Sequence, residues 1–187
     1  MNGRIIFMTE EESMSKALRV LLPTLLPGLR EYEHWIILDH KGKSDLEASY
    51  PKKMRAWREP GVRFIILRDN DGSDCKELKQ KLISRVPDSS MKYQVRIVCQ
   101  NLESWFIGDI EAVATAYPVS RRHNSFKALS RSDPDTLTNA SDLLTDLTRT
   151  GAKRARATEI AEQMQPERNR SRSFHVFVEG LTRFLSE

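Results

Sequence analysis

Four short apolar runs occur in the first hundred residues of the chain, and each ends abruptly in polar residues. The runs cover 4–9, 34–38, 62–68 and 94–99. The first of them lacks the strict alternation of a half-exposed strand, which is the pattern of a strand covered on both faces of a parallel sheet. Each run predicts a β-strand, and 62–68 is the clearest of the four.

Residues at helical spacing follow these runs. Ser13 is placed to cap a helix whose apolar residues recur as far as Leu25. A second helix is expected to end near Trp57, and a third begins after Asp74. Alternating strands and helices form βαβ units. The pattern therefore predicts an α/β fold with a mostly parallel four-stranded sheet and helices on both faces.

The rest of the chain, from residue 109 onward, has no strand pattern. It predicts, in order, a short helix, a polar loop, two helices broken near Gly151 and a final apolar helix: 109–117, 118–136, 137–164 and 173–185. We therefore expect an α/β core over 1–117 and a helical C-terminal extension over 118–187 that packs on the core.

Composition is that of an ordinary soluble globular protein, and the lack of targeting signals predicts a cytoplasmic location. The chain has 187 residues, of which 39% are hydrophobic and 30% charged. The N-terminus lacks the apolar core of a signal peptide, and no apolar run is long enough to span a membrane. Cys75 and Cys99 have no CxxC spacing, so structural roles are favoured for both, and a reduced exposed thiol is the alternative.

Charge is distributed unevenly along the chain. The net charge of +4 is too small to indicate nucleic-acid binding by itself. Basic residues predominate over 149–172, however, while acidic residues collect at 10–12 and 69–74. A local acidic cluster beside a basic surface suits a protein that binds a metal ion and a polyanion.

Acidic residues follow two of the predicted strands. Glu10 ends the first run, and Asp69 and Asp71 come directly after the third. Ligands of parallel α/β sheets lie beyond the carboxyl ends of the strands, so these three side chains are expected at one edge. Carboxylates that meet there repel one another unless a cation lies between them, and Mg²⁺ prefers such oxygen ligands. The alternatives are an ordinary Asp-Asn-Asp-Gly turn and an acidic helix start.

Glu103 follows the fourth run and is a candidate for a further metal ligand or for positioning a water molecule. An N-terminal helix residue is an equally good interpretation. Lys43 follows the second run, and Arg168, Arg170 and Arg172 alternate with polar residues ahead of the last helix. These four side chains are candidates for holding substrate phosphates. The alternative for the arginines is a loop bound to the body of the protein by salt bridges.

The spacing of these acidic residues resembles that of the Toprim domains of topoisomerases, primases and overcoming-lysogenization-defect nucleases. The resemblance implies a Toprim-like, Rossmann-like fold, with Glu10 as general acid or base and Asp69 and Asp71 as Mg²⁺ ligands. Toprim domains usually place glycine after the glutamate, whereas Glu11 stands there in this chain. The functional glutamate is therefore either Glu10 or Glu11.

Nearly the whole chain is similar to a bacterial family, the domain of unknown function 4276. The similarity rests on six segments: 10–14, 40–46, 55–61, 67–72, 103–105 and 166–174. It implies an ABC-type ATPase as a partner protein and a role in phage defence.

Two functions follow from these expectations. The first is a Mg²⁺- or Mn²⁺-dependent endonuclease that hydrolyses phosphodiester bonds in DNA or RNA, as the effector of an ATPase-coupled defence system. The alternative is a non-catalytic Toprim-like subunit that docks an ABC-type ATPase or a nucleic acid.

Overall fold

All four predicted strands form, each within two residues of its predicted bounds. The computed structural model describes residues 3–186, and its strands are Ile5–Thr9 (β1), Trp35–Asp39 (β2), Arg63–Asp69 (β3) and Lys92–Val98 (β4). They form one parallel sheet in the order β2-β1-β3-β4. The predicted parallel α/β sheet is therefore confirmed.

The first and third of the predicted strands occupy the centre of this sheet. Every residue of β1 and β3 is buried, whereas β2 and β4 each contain partly exposed and exposed residues. A central strand is covered on both faces and paired along both edges, so its sequence can be apolar throughout. This order places the ends of β1 and β3 side by side in the middle of the carboxyl edge.

Nine α-helices form within residues 3–186, and the sheet carries helices on both faces. They are Glu12–Leu25 (α1), Lys43–Ala56 (α2), Cys75–Ile83 (α3), Leu102–Gly108 (α4), Ile110–Ala116 (α5), Asn124–Arg131 (α6), Ala140–Thr148 (α7), Lys153–Ala161 (α8) and Arg172–Ser186 (α9). The break near Gly151 lies between α7 and α8, as predicted.

Side chains of β1 point alternately to two hydrophobic clusters. Ile6 and Met8 pack on one face with apolar residues of α2 and α3. Ile5 and Phe7 pack on the other face, in a larger cluster that includes α1 and the helices from α4 to α9. The helices after residue 117 therefore complete the core on one face of the sheet.

The prediction of a polar loop over 118–136 is wrong in its second half. Asn124–Arg131 forms α6, and a 3₁₀ turn covers Pro134–Thr136. Phe126 and Leu129 are the buried residues of α6, one turn apart on its inner face. This pair of apolar residues in a polar segment is a weak pattern, and tertiary packing stabilises the helix.

Aromatic packing fastens α9 to α4. The ring of Trp105 lies 5.2 Å, between centroids, from the rings of both Phe174 and Phe177. Its indole nitrogen donates a hydrogen bond to the Ser173 hydroxyl at 2.9 Å.

Within residues 3–186, no helix is both long and apolar enough to cross a membrane.

Candidate functional site

Glu10 and Asp69 meet at the carboxyl edge of the sheet. Glu10 directly follows β1 and Asp69 ends β3, and these strands are neighbours. The backbone N–H of Asp69 donates a hydrogen bond to Glu10 Oε2 at 3.2 Å. Both residues are buried, with 9% and 7% of their surface exposed. Two acidic residues 59 positions apart in sequence thus meet away from bulk water.

The ionised forms of these two carboxyl groups are disfavoured. The pKa of Asp69 is raised well above its usual value, first by burial and then by the charges of Glu10 and Glu103. The pKa of Glu10 is raised by burial and next by Asp71, while the guanidinium of Arg68 opposes that shift. In the metal-free protein, burial and mutual repulsion therefore favour the protonated forms of these carboxyl groups.

Asp71 is the exposed member of the group. It has a left-handed backbone with φ of 49°, and Gly72 continues the turn with φ of 77°. Its backbone N–H donates to the carbonyl of Gln100, which ties this turn to the end of β4. Asp71 Oδ2 lies 3.3 Å from Lys43 Nζ, and both side chains are largely exposed. Such a pair holds its partners weakly, so Asp71 can exchange Lys43 for another cation.

Glu103 lies in the first turn of α4, is buried, and is close enough to raise the pKa of Asp69. Its Oε1 accepts hydrogen bonds from Arg156 Nη2 and Ser141 Oγ, both at 3.3 Å, and Lys153 Nζ lies 3.9 Å away. Only 1% of Arg156 is exposed. A buried ion pair thus holds Glu103 close to Asp69. We call the group of Glu10, Asp69, Asp71 and Glu103 at the carboxyl ends of the strands the acidic edge.

Arg156 was not predicted from the sequence. It lies one helical turn before the buried Ile160 of α8, on the face that packs into the protein. A charged residue at an apolar position of a helix is the signal that could have identified it. Its charge requires a buried partner, and that partner is Glu103.

His40 is a second buried polar residue at this edge, directly after β2. Its Nδ1 is 2.8 Å from the carbonyl oxygen of Thr9 and its Nε2 is 2.7 Å from Lys53 Nζ. A carbonyl can only accept, so Nδ1 donates and Nε2 accepts from the lysine. Burial lowers the pKa of His40. This neutral imidazole joins the ends of β1 and β2.

Oxygen atoms without partners collect at the same edge. Within residues 3–186, eleven buried side-chain nitrogen and oxygen atoms make no hydrogen bond. Six are oxygens of residues that end or follow the strands here: Thr9, Asp69, Asn70, Gln100, Asn101 and Ser104. Buried acceptors normally have a donor, a water molecule or a cation. Oxygen-only donors suit Mg²⁺ or Mn²⁺.

The predicted metal ligands do not form a closed cluster. Across residues 3–186, no three histidine, cysteine, aspartate or glutamate side chains are arranged so that they could hold a metal ion. Glu10 and Asp69 are together, whereas Asp71 is paired with Lys43 and Glu103 with Arg156. The donor chemistry fits a divalent cation, and binding would require Asp71 to turn away from Lys43.

Two of the three arginines predicted to bind phosphate are bound to the protein itself. Arg168 forms a bidentate pair with the buried Asp109, at 2.6 and 2.9 Å. Arg170 donates to the backbone carbonyls of Leu129, Ser132 and Ile107. The alternative of a loop bound to the body describes these two residues. Arg172 begins α9 with an exposed side chain.

Glu11 is occupied locally. Its Oε1 accepts a hydrogen bond from the Ser13 hydroxyl at the start of α1. Glu10, in contrast, faces the end of β3. Of the two glutamates that the sequence left open, Glu10 is the one that contacts Asp69.

The raised pKa values predict that, without divalent metal, wild-type protein loses stability relative to Asp69→Asn as pH rises. The folded state then binds more protons than the unfolded state, so the free energy of unfolding falls from about pH 4 upward through the folded pKa values. Asparagine cannot ionise. Urea unfolding of both proteins in EDTA, from about pH 4 to about pH 8, measures the difference. Parallel stability curves would contradict the raised pKa values.

The parallel β2-β1-β3-β4 sheet with helices on both faces is a Toprim-like α/β fold. The profile of the family described as "Domain of unknown function (DUF4276)" matches residues 9–182. The chain belongs to this family. Comparison with curated proteins gave no significant match.

Two solved structures share the fold. The C-terminal region of the Burkholderia pseudomallei OLD protein is 16% identical with a TM-score of 0.57, over 96% of this chain and 97% of that one. The C-terminal region of the Xanthomonas campestris pv. campestris OLD protein is 15% identical with a TM-score of 0.53, over 98% of this chain and 96% of that one. Both likenesses cover the C-terminal helices as well as the sheet.

Proposed function

We propose that this protein is a Mg²⁺-dependent nuclease that hydrolyses phosphodiester bonds in nucleic acid. The observation that carries the proposal is the buried pair of Glu10 and Asp69, in which Asp69 Oδ1 has no hydrogen-bond partner within residues 3–186. Two adjacent buried carboxylates destabilise a protein unless a cation compensates their charge. The likeness to OLD C-terminal regions is compatible with this activity.

Each acidic residue has a role in the proposed reaction. Asp69 and Asp71 would hold the metal, and Glu103 would supply a further negative charge behind it. A bound Mg²⁺ would activate a water molecule and stabilise the departing oxygen. Glu10 would exchange a proton with the reacting groups, and a raised pKa brings a carboxyl group nearer to the working pH. The Lys43 ammonium group would leave Asp71 and bind a phosphate of the substrate.

The proposal is tested by calorimetric titration of the protein with MgCl₂ and MnCl₂. We expect one saturable event, together with a rise in the unfolding temperature, because the metal binds only the folded site. Asp69→Asn should lose both effects. Asp39→Asn is the matched control, because Asp39 also ends a strand at this edge but has an exposed side chain. Absence of binding to wild-type protein would contradict the proposal.

A non-catalytic Toprim-like subunit is the second candidate. It is favoured by the pairing of Asp71 with Lys43 and of Glu103 with Arg156, which compensates two of the four acidic residues without a metal. The same titration separates the candidates, since a subunit of this kind would bind no divalent metal at the acidic edge.

An ABC-type ATPase is the proposed partner protein, and phage defence the proposed setting. The matched structures are C-terminal regions of OLD proteins, so this fold occurs there as part of a longer chain. We propose that the fold described here acts together with an ABC-type ATPase. Co-purification of the two proteins tests the association.

A further inference from the structure

Three basic residues flank the outer edge of the sheet, and we call them the basic edge: Lys79 of α3, Arg96 of β4 and Arg183 of α9. β4 is the last strand of the sheet, so one side of it pairs with β3 and the other is not paired in the sheet. Both α3 and α9 contact β4. The basic edge therefore draws on three elements that meet along one strand.

Arg96 is the central residue of the basic edge. It is only partly exposed, and its Nε is buried without a hydrogen-bond partner within residues 3–186. Its guanidinium lies directly on Gly180 of α9, where an added Cβ would come within 1.8 Å of Nη2. Glycine at 180 thus leaves the space that the Arg96 side chain fills.

No ion pair within 4 Å among residues 3–186 includes Lys79, Arg96 or Arg183. Burial lowers the pKa of Lys79, and Arg96 lowers it further. The pKa of Arg96 is lowered by burial and then by Arg183. Like charges thus lie close together, which favours a bound anion.

The basic edge leads toward the acidic edge. Arg96 precedes Val98 by two residues, and Val98 pairs with Asp69 in the sheet. Measured along the strand direction, Arg96 therefore lies roughly 7 Å before Asp69. Arg168 and Arg170 already bind protein groups, so other cations must hold a polyanionic substrate.

We propose that the basic edge binds consecutive phosphates of a nucleic-acid backbone and guides that strand to the acidic edge. This inference rests on the proposed function for its ligand class, and it concerns binding rather than cleavage. Neighbouring cations from three elements favour a ligand with more than one negative charge, and successive phosphates of a nucleic-acid strand supply such charges. Contacts of this kind are independent of base sequence.

The experiment measures binding of a fluorescently labelled oligonucleotide, single-stranded or duplex, by anisotropy in EDTA and over a series of KCl concentrations. Lys79→Gln/Arg183→Gln should weaken binding roughly tenfold, and the slope of log K against log salt should fall by about two. The control is Lys52→Gln/Arg55→Gln, which removes the same charge from exposed positions near the end of α2. It should bind as wild type does.

A second variant tests the geometry without altering charge. Gly180→Ala should displace the guanidinium of Arg96 and weaken oligonucleotide binding, with circular dichroism reporting whether the fold persists. Gly151→Ala is its control, because a Cβ there meets no atom within 4 Å.

The inference is overturned if wild-type protein binds no oligonucleotide, if it binds only an acidic polypeptide such as polyglutamate, or if the basic-edge and control variants behave alike. Failure of the proposed function has a different signature. A protein that binds through the basic edge but does not cut with Mg²⁺ or Mn²⁺ supports this inference and contradicts the nuclease.

Discussion

Replacing Asp69 with asparagine should lower the rate of Mg²⁺-dependent nucleic-acid cleavage by about a thousandfold, because metal catalysis contributes several kcal/mol to the barrier. Asparagine preserves the shape of the side chain but removes a buried charge, so the fold should remain intact. The backbone N–H that contacts Glu10 Oε2 is retained. Cleavage of labelled DNA and RNA by wild-type and variant protein, with near-ultraviolet circular dichroism for the fold, provides the measurement.

Asp39→Asn is again the comparison, since it changes an exposed carboxylate at the end of the neighbouring β2. It should cut at close to the wild-type rate. If Asp69→Asn cleaves as fast as Asp39→Asn, the acidic edge is not the catalytic site and the activity lies elsewhere.

Arg156→Met should reduce the free energy of unfolding by about 3–5 kcal/mol, the usual cost of leaving one member of a buried ion pair without its partner. Methionine retains the apolar stem and removes the charge that faces Glu103 at 3.3 Å. The buried Glu103 would then depend on Ser141 and on the more distant Lys153. Chemical denaturation at neutral pH measures the loss.

The control for this substitution is on the same helix. Arg154→Met removes a guanidinium whose partner, Glu12, is at the surface, with 68% and 44% of the two side chains exposed. Exposed pairs contribute at most about 1 kcal/mol, so the effect should be small. The double variant Glu103→Gln/Arg156→Met removes both buried charges and should be more stable than Arg156→Met alone. Equal losses for Arg154→Met and Arg156→Met would contradict the assignment.

The sequence predicted the sheet well because its strands are defined locally. β1 is apolar up to Thr9 and β3 is apolar from Phe64 to Leu67, so the strands follow from short segments. An acidic residue follows β1 and another ends β3, and the meeting of Glu10 with Asp69 follows from these positions. Because the carboxyl ends of parallel strands lie at one edge of the sheet, the residues that follow these strands could be expected to lie together.

The partners of the charged residues could not be predicted in the same way. Arg168 and Arg170 have the spacing expected of a phosphate-binding loop, but Asp109 and three carbonyls occupy them. A guanidinium binds a carboxylate of the protein as readily as a phosphate, and only the tertiary structure distinguishes them. The pairing of Glu103 with Arg156 likewise joins residues 53 positions apart.

Trp105 and Glu103 lie before residue 118, yet the groups that cover them belong to later helices: Phe174 and Phe177 for the indole, and Arg156 for the carboxylate. A truncation at 117 would therefore expose the Trp105 ring and leave the Glu103 carboxylate without its ion-pair partner. The α/β part of this fold is thus not a transplantable module, and any engineered fusion must carry the last seventy residues with it.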